Sequence, residues 1–370
     1  MVSVMKKIAV DARMIKSSGI GTYLQNMLPN MLKNFEILLL GNSAELKEFQ
    51  WAKELEIINF TAPIYSFSEQ LLFPIKVPKC DIFLSPHYNV PVLPVRADKR
   101  VVIIHDVYHL AFYGSLTGLQ KLYAKTMINT AAKKSARIIT VSGFSKQEIL
   151  KYTTTEESKI KIIYCGLNPD DFKDNYNGDY TLIKYKFNLP DNFFLFVSNV
   201  KPHKNLYNLL IAFREMLEKN EKYKFVIVGE YKNLITADKD VFKLIDSSEK
   251  LKRNTVFTGY ISKKELHALY RLAYALAFPS LYEGFGIPPI EAMICGCPVL
   301  ASHNASIPEA CNDAALYFDP NDANDIKEKL ELFISDYNLR NSLIIKGLEN
   351  IKKFSWENFA ENLKNVLNEV

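Results

Sequence analysis

Two carboxylates eight positions apart, Glu283 and Glu291, bracket the stretch Glu283-Gly284-Phe285-Gly286-Ile287-Pro288-Pro289-Ile290-Glu291. The apolar run at 274–278 reads as a buried strand that stops at Pro279. The glycines predict a turn, Pro288 and Pro289 stand where a helix begins, and Gly296 closes that helix. One glutamate then lies on a loop and the other in the first turns of the helix. Backbone N–H groups at such a junction attract an anion, and carboxylates beside it accept hydrogen bonds from hydroxyl groups. A ligand with a diphosphate between two polyhydroxylated rings, such as a nucleotide sugar, suits this chemistry.

Other candidates sit where strands are expected to end. Lys201 and Lys204, in Lys201-Pro202-His203-Lys204-Asn205, follow a strand expected at 193–198. They are either a diphosphate clamp or surface lysines, and the helix expected from Leu206 favours Lys204 as the functional one. His105 and Asp106 end a strand expected at 100–104; the imidazole either positions a ligand or satisfies nearby backbone groups. The strand at 7–10 ends at Asp11, and a loop then leads through Gly19-Ile20-Gly21 to a helix expected from Thr22. That loop is either a flexible cover over a substrate or a plain turn. It is not a dinucleotide fingerprint: Leu24 holds the third glycine position and no acid ends the second strand, which argues against a nicotinamide enzyme. Asp238-Lys239-Asp240 has the spacing of a metal–diphosphate site, yet it opens a polar helix, where acids suit the first turn. No metal is expected.

The elements that position these groups alternate strand and helix along the whole chain, the pattern of parallel sheets covered on both faces. Strands are expected at 7–10, 36–40, 82–84, 100–104 and 137–141, then at 193–198, 224–229, 255–257, 275–278, 298–301 and 315–318. Helical periodicity is clearest at 22–32 and 119–134, and the tail from Trp356 is amphipathic after a Ser355 cap. With 370 residues, 48% of them hydrophobic, two domains are expected. They cover 1–168 and 186–355, joined by a linker at 169–185, with the final helix 356–370 packing back on the first. Carboxyl ends of strands face ligands in such folds, so the chemistry belongs to the loops named above.

Residues 1–168 hold 21 Lys+Arg against 13 Asp+Glu, net +8, and the remainder is net −3. The basic half suits either an anionic lipid or an ordinary solvated surface. The basic residues form no dense run, so nucleic acid is not expected as a partner. Five cysteines without paired spacing agree with reduced thiols, and no apolar run is long enough to span a bilayer. The expected location is the cytosol.

The chain resembles glycosyltransferase family four, the retaining GT-B transferases, over nearly its whole length. The resemblance is carried by Pro279-Ser280-Leu281-Tyr282-Glu283-Gly284-Phe285-Gly286 through Glu291-Ala292-Met293, together with Ile139-Thr140-Val141-Ser142, Ile163-Tyr164-Cys165-Gly166, Ser306-Ile307-Pro308-Glu309, Ala315-Leu316-Tyr317-Phe318-Asp319-Pro320 and Phe354-Ser355-Trp356-Glu357. It is most similar to bacterial mannosyl- and rhamnosyltransferases of surface-polysaccharide assembly, which share Lys-Pro-His-Lys-Asn. The resemblance implies a GT-B architecture of class α/β, with two doubly wound Rossmann-like domains facing a central cleft. It implies that Glu283 with Gly284, Phe285 and Gly286 holds the donor sugar, and that Glu291 binds the ribose. Lys204 neutralises the diphosphate, while Leu281, Ile287, Tyr260 and Ile261 line the nucleotide. His105 lies beside the reacting centre; Gly19, Ile20, Gly21, Tyr23 and Asp106 shape the acceptor side. Many relatives carry Gly-Arg where this chain has Ser198-Asn199, which leaves Lys204 the main phosphate partner and Asn199 in the arginine's place. The implied donor is GDP-mannose, with UDP- and dTDP-sugars close behind. The implied acceptor is a glycan or a polyprenyl-diphosphate-linked glycan, reached at the inner membrane face through peripheral contact by the basic half. Rival readings are a sugar-nucleotide epimerase or hydrolase of the same architecture and a non-enzymatic sugar-binding subunit.

Overall fold

The computed structural model describes residues 5–112, 117–229 and 238–370. The chain divides into two compact units, Met1–Gly166 with Phe354–Val370, and Leu167–Lys353. Each is a parallel sheet flanked by helices.

The first unit holds β1 (Lys7–Asp11), β2 (Glu36–Gly41), β3 (Glu56–Asn59), β4 (Cys80–Ser85), β5 (Ala97–Ile103), β6 (Arg137–Thr140) and β7 (Ile160–Ile162). They pair in the order β3-β2-β1-β4-β5-β6-β7, with Val10 opposite Leu39 on one side and Leu84 on the other. The central strands are continuous apolar runs because helices cover both faces. The edge strands β3 and β7 were not expected, since each offers only two isoleucines of signal.

One expectation is corrected here. The first helix spans Ser18–Met31, so Gly19, Ile20 and Gly21 form its opening turn rather than a loop before it. Gly21 is required by close packing: a Cβ there would lie 2.6 Å from the Ile15 carbonyl oxygen, on the segment that folds back over the helix start. The final helix, Trp356–Asn368, is capped by Ser355, whose hydroxyl accepts from the Asn358 N–H at 3.1 Å. It packs on Ser18–Met31: the Tyr23 ring meets Phe359 and Trp356 edge-on at 5.4 and 6.0 Å.

The second unit holds β8 (Phe193–Val197), β9 (Lys224–Val228), β10 (Thr255–Gly259), β11 (Ala275–Phe278), β12 (Val299–Ser302) and β13 (Ala315–Phe318), ordered β10-β9-β8-β11-β12-β13. The strand Phe-Phe-Leu-Phe-Val of β8 is buried along its length, with Phe194 and Phe196 in one core with Leu209 and Phe213 of the helix Leu206–Met216. The segment 169–185, expected as a linker, groups with this unit. Asn168 caps a short 3-10 turn, Pro169–Phe172, and Phe172 is buried in a stack on His267 at 4.3 Å. The Arg271 guanidinium also donates to the Phe172 carbonyl. A turn cluster with an aromatic residue to bury becomes an anchor, not a tether.

Candidate active site

In the second sheet the strand order reverses between β8 and β11, and crevices at such reversals, beyond the carboxyl ends, are where open α/β sheets take ligands. The loop after β8 carries Lys204 and the loop after β11 carries Glu283. The two side chains meet: Lys204 Nζ lies 2.7 Å from Glu283 Oε1, with 18% and 14% of the side chains exposed.

Neutral side chains and backbone hold this pair in place. Asn205 takes the left-handed conformation at φ 57° and is buried. Its Nδ2 donates to the carbonyls of Pro279 at 3.2 Å and Pro320 at 2.6 Å. The Leu281 N–H donates to the His203 carbonyl at 2.9 Å, stitching the two loops directly. The buried Ser306 hydroxyl donates to the Glu283 carbonyl at 2.9 Å. Sequence reasoning missed Asn205 and Ser306; an asparagine just before a helix is the signal for Asn205, because asparagine tolerates positive φ.

Gly286 follows at φ 104°, a conformation that favours glycine, and starts the helix Ile287–Ile294. Pro288 and Pro289 have no N–H, so of the first four helical residues only Ile287 and Ile290 offer backbone donors. Glu291 keeps a solvent-facing edge, yet burial raises its carboxyl to about 7. The Tyr270 hydroxyl, donating to Oε2 at 3.2 Å, and the charge of Lys263 pull the other way and only partly offset it. Phe285 is buried, Leu281 and Ile287 half-buried. After β10, Tyr260 is 87% exposed while Ile261 is buried. Asn199 is exposed just beyond the end of β8. Asp238 caps the helix Lys239–Asp246, accepting from the Asp240 N–H at 3.1 Å. Among the described residues no group of three or more His, Cys, Asp or Glu side chains could hold a metal ion.

The remaining sequence candidates lie in the first unit. His105 Nε2–H donates to the Pro86 carbonyl at 3.0 Å, and burial lowers the imidazole's pKa against the opposing pull of Asp106, so the ring is neutral near pH 7. Asp106 accepts from the Tyr108 N–H at 2.9 Å. Gly19 is exposed and Ile20 half-buried. Tyr23 is 4% exposed, its ring 4.8 Å from His105, which makes it a core side chain rather than a surface contact for an acceptor.

That unit has its own strand-order reversal, between β1 and β4, and there sequence reasoning missed a buried network. Arg13 forks onto Asp11 at 2.8 and 2.7 Å and reaches Glu69 at 2.8 Å. Its guanidinium stacks on Phe60 and Phe73 at 4.4 and 4.7 Å. Glu69, fully buried, also accepts from Asn89 at 2.7 Å, and the Tyr123 hydroxyl donates to Asn89. Burial alone would lower the Arg13 pKa, but the two carboxylates outweigh it and raise it.

Comparison with known proteins accounts for both halves. Residues 18–171 match the family model described as Glycosyltransferase Family 4, and residues 181–350 match Glycosyl transferases group 1. The chain belongs to the GT-B glycosyltransferases of the group 1/family 4 superfamily. Among its relatives is the serotype-specific mannosyltransferase WbdA of Escherichia coli, 29% identical over 329 residues, which are 87% of this chain and 38% of WbdA. The glycosyltransferase chain thus spans between a third and two fifths of the WbdA proteins it matches. The O-antigen chain mannosyltransferase RfbU of Salmonella typhimurium is 30% identical over 260 residues, 70% of this chain and 66% of RfbU. In fold it is similar to HepE of Anabaena, crystallised in complex with UDP and glucose, with a TM-score of 0.80 at 17% identity over 99% of this chain and 100% of HepE.

Proposed function

We propose that the chain transfers a hexosyl group from a nucleotide sugar to a hydroxyl of a glycan or lipid-linked glycan, with retention at the anomeric carbon and without a metal. The observation that carries this reading is the Lys204–Glu283 pair at 2.7 Å, set at the strand-order reversal with Glu291 eight residues on. Lys204 takes the diphosphate, Glu283 and the turn of Gly284, Phe285 and Gly286 take the sugar hydroxyls, and Glu291 takes the ribose diol. The lysine and glutamate engage each other. Donor binding then exchanges one charge-assisted bond for another, the diphosphate replacing Glu283 on Lys204 and releasing the carboxylate to the sugar.

Charge builds on the departing nucleotide diphosphate, where Lys204 and the N–H groups of the helix start stabilise it. The acceptor hydroxyl attacks from the face the nucleotide leaves, and a donor phosphate oxygen takes its proton. His105, Asp106 and the Gly19–Ile20–Gly21 turn are assigned to the acceptor. UDP bound with glucose in HepE favours a UDP-sugar over the GDP-mannose of the sequence reading. The mannosyltransferase names of WbdA and RfbU support mannose as the second reading and surface-polysaccharide assembly as the setting.

The test is thermal unfolding against UDP-, dTDP- and GDP-sugars, since a ligand stabilises the state it binds by mass action. The anomeric configuration of the product is then read by NMR. Stabilisation by none of them sinks the donor reading. Donor consumption or epimerisation at full rate without any acceptor favours a hydrolase or epimerase instead.

A further inference from the structure

Where the first sheet reverses its strand order, a small recess of about 10 Å³ opens beside the carboxyl ends of β1 and β4. That is room for one hydroxyl group or one water. Asp11, Arg13 and Met14 line it from the end of β1 and its loop, and Pro86, His87 and Asn89 from the loop after β4. Most of the polar side chains there are engaged already. Arg13 forks onto Asp11 at 2.8 and 2.7 Å, and the Asn89 amide is held between Glu69 and Tyr123.

His87 differs. The Asn89 backbone N–H, which can only donate, meets His87 Nδ1 at 3.3 Å, so the neutral ring carries its proton on Nε2. Burial, then the neighbouring His105 and His109, lowers the imidazole to about 3, which keeps it neutral near pH 7. The ring lies against Tyr88 with centroids 3.9 Å apart, which fixes its direction. Among the described residues its Nε2–H meets no acceptor. A second feature stands beside it. Tyr65 takes φ 64°, a left-handed conformation that a bulky residue rarely adopts and that strain places at functional sites. Its ring meets His87 edge-on at 5.9 Å and stays 48% exposed, while its hydroxyl shares a hydrogen bond with that of Tyr88. An exposed aromatic face beside an unspent neutral donor suits a pyranose, which has an apolar C–H face and a rim of hydroxyls. It does not suit a phosphate, since Arg13 is committed to Asp11 and Glu69 and His87 carries no charge.

We propose that His87 and Tyr65 form a subsite for a neutral hexopyranose of the glycan that receives the transferred sugar. One hydroxyl enters the recess and accepts from His87 Nε2–H, and the C–H face of the ring lies on Tyr65. The inference rests on the transfer reading and deepens it: the receiving glycan is selected by a sugar ring and not by a phosphate. The test is saturation-transfer NMR of the full chain with the methyl α-pyranosides of mannose, glucose and galactose and their monodeoxy analogues. At least one parent glycoside should bind, and removing one particular hydroxyl should weaken it about tenfold, the worth of one buried hydrogen bond. His87→Leu should weaken the parent by about the same factor and make it indifferent to that hydroxyl, closing a double-mutant cycle. His87→Gln, whose amide N–H reaches the Nε2 position, should restore most of the loss, which a merely structural histidine would not allow. Tyr65→Asn, a residue that tolerates positive φ, should weaken binding several-fold. Thermal stabilisation by nucleotide sugars should be unchanged in every variant. Should it persist while no glycoside binds, or while His87→Leu binds every glycoside as the wild type does, the subsite falls and the transfer reading stands. Tighter binding of the mannose, glucose or galactose 6-phosphates than of the neutral glycosides also overturns the proposal.

Discussion

In the first unit the loop after β1 carries Arg13, whose side chain is 3% exposed against a 0% exposed Glu69 on the helix before β4, and Glu69 in turn accepts from Asn89 on the loop after β4. In the second unit the corresponding loops, after β8 and β11, meet at Lys204 and Glu283, which keep 18% and 14%. Both are ion pairs beside the strand-order reversal of a parallel sheet. The first is saturated: the guanidinium spends its donors on Asp11, Glu69 and the Ala62 carbonyl, with aromatic rings on its faces. The second is a single contact at 2.7 Å between groups with further hydrogen-bonding capacity and an open edge. Topology therefore says where a ligand could sit, and saturation decides whether one can displace what is already there.

The largest expected effect breaks the first pair. Arg13→Ala leaves two buried carboxylates uncompensated, which costs about 3–5 kcal/mol of stability. Chemical denaturation should register that loss, while donor affinity of the remaining folded protein is unchanged. Full stability with lost turnover would instead make Arg13 a ligand contact and erase the contrast. In the second pair, Glu283→Gln should cut turnover by about 10²–10³-fold, the range for removing one group that holds the reacting centre. The thermal midpoint should stay put, and nucleoside diphosphate should bind at least as tightly because Lys204 is released. If calorimetry shows that affinity falling, the pair is a strut like its counterpart. Next, Lys204→Ala removes a charge-assisted bond of about 1.5–3 kcal/mol, so donor affinity should drop about ten- to a hundredfold. Unchanged affinity would place the diphosphate elsewhere.

The smallest effect is a pH dependence. Glu291 is raised from 4.5 to about 7, chiefly by burial. Between those values the native state holds a proton that the unfolded chain has released, so ligand-free stability falls as pH rises through that window and levels off above it. A carboxylate that grips a diol must be ionised, so donor affinity should climb about tenfold between pH 6 and 8 and then flatten. Glu291→Gln should flatten both curves; a persisting slope would assign the titration to another group.

Sequence made the alternation of strands and helices readable because central strands such as Phe193–Val197 are apolar on both faces. The edge strands were hidden by brevity, Ile160–Ile162 having three residues. The start at Ser18 was hidden by two glycines, poor helix formers placed there for close packing. In the candidate site, Glu283, Glu291 and Lys204 were legible because they flank glycine and proline at a strand end. The Arg13 network was not, since its members sit at positions 11, 13, 69, 89 and 123 and only the fold assembles them.

The chain departs from the first unit at Gly166 and has rejoined it by Phe354. A Cβ on Gly166 would lie 2.6 Å from the Trp356 backbone nitrogen, so the departing and returning backbones touch. In architectural grammar the second unit is a parenthesis inside the sentence of the first, opened and closed at one spot. Hosts with such adjoining ends tolerate excision and replacement of the guest. Splicing Gly166 to Trp356 through a short flexible bridge should leave the host able to fold alone, which makes the second unit an exchangeable cassette.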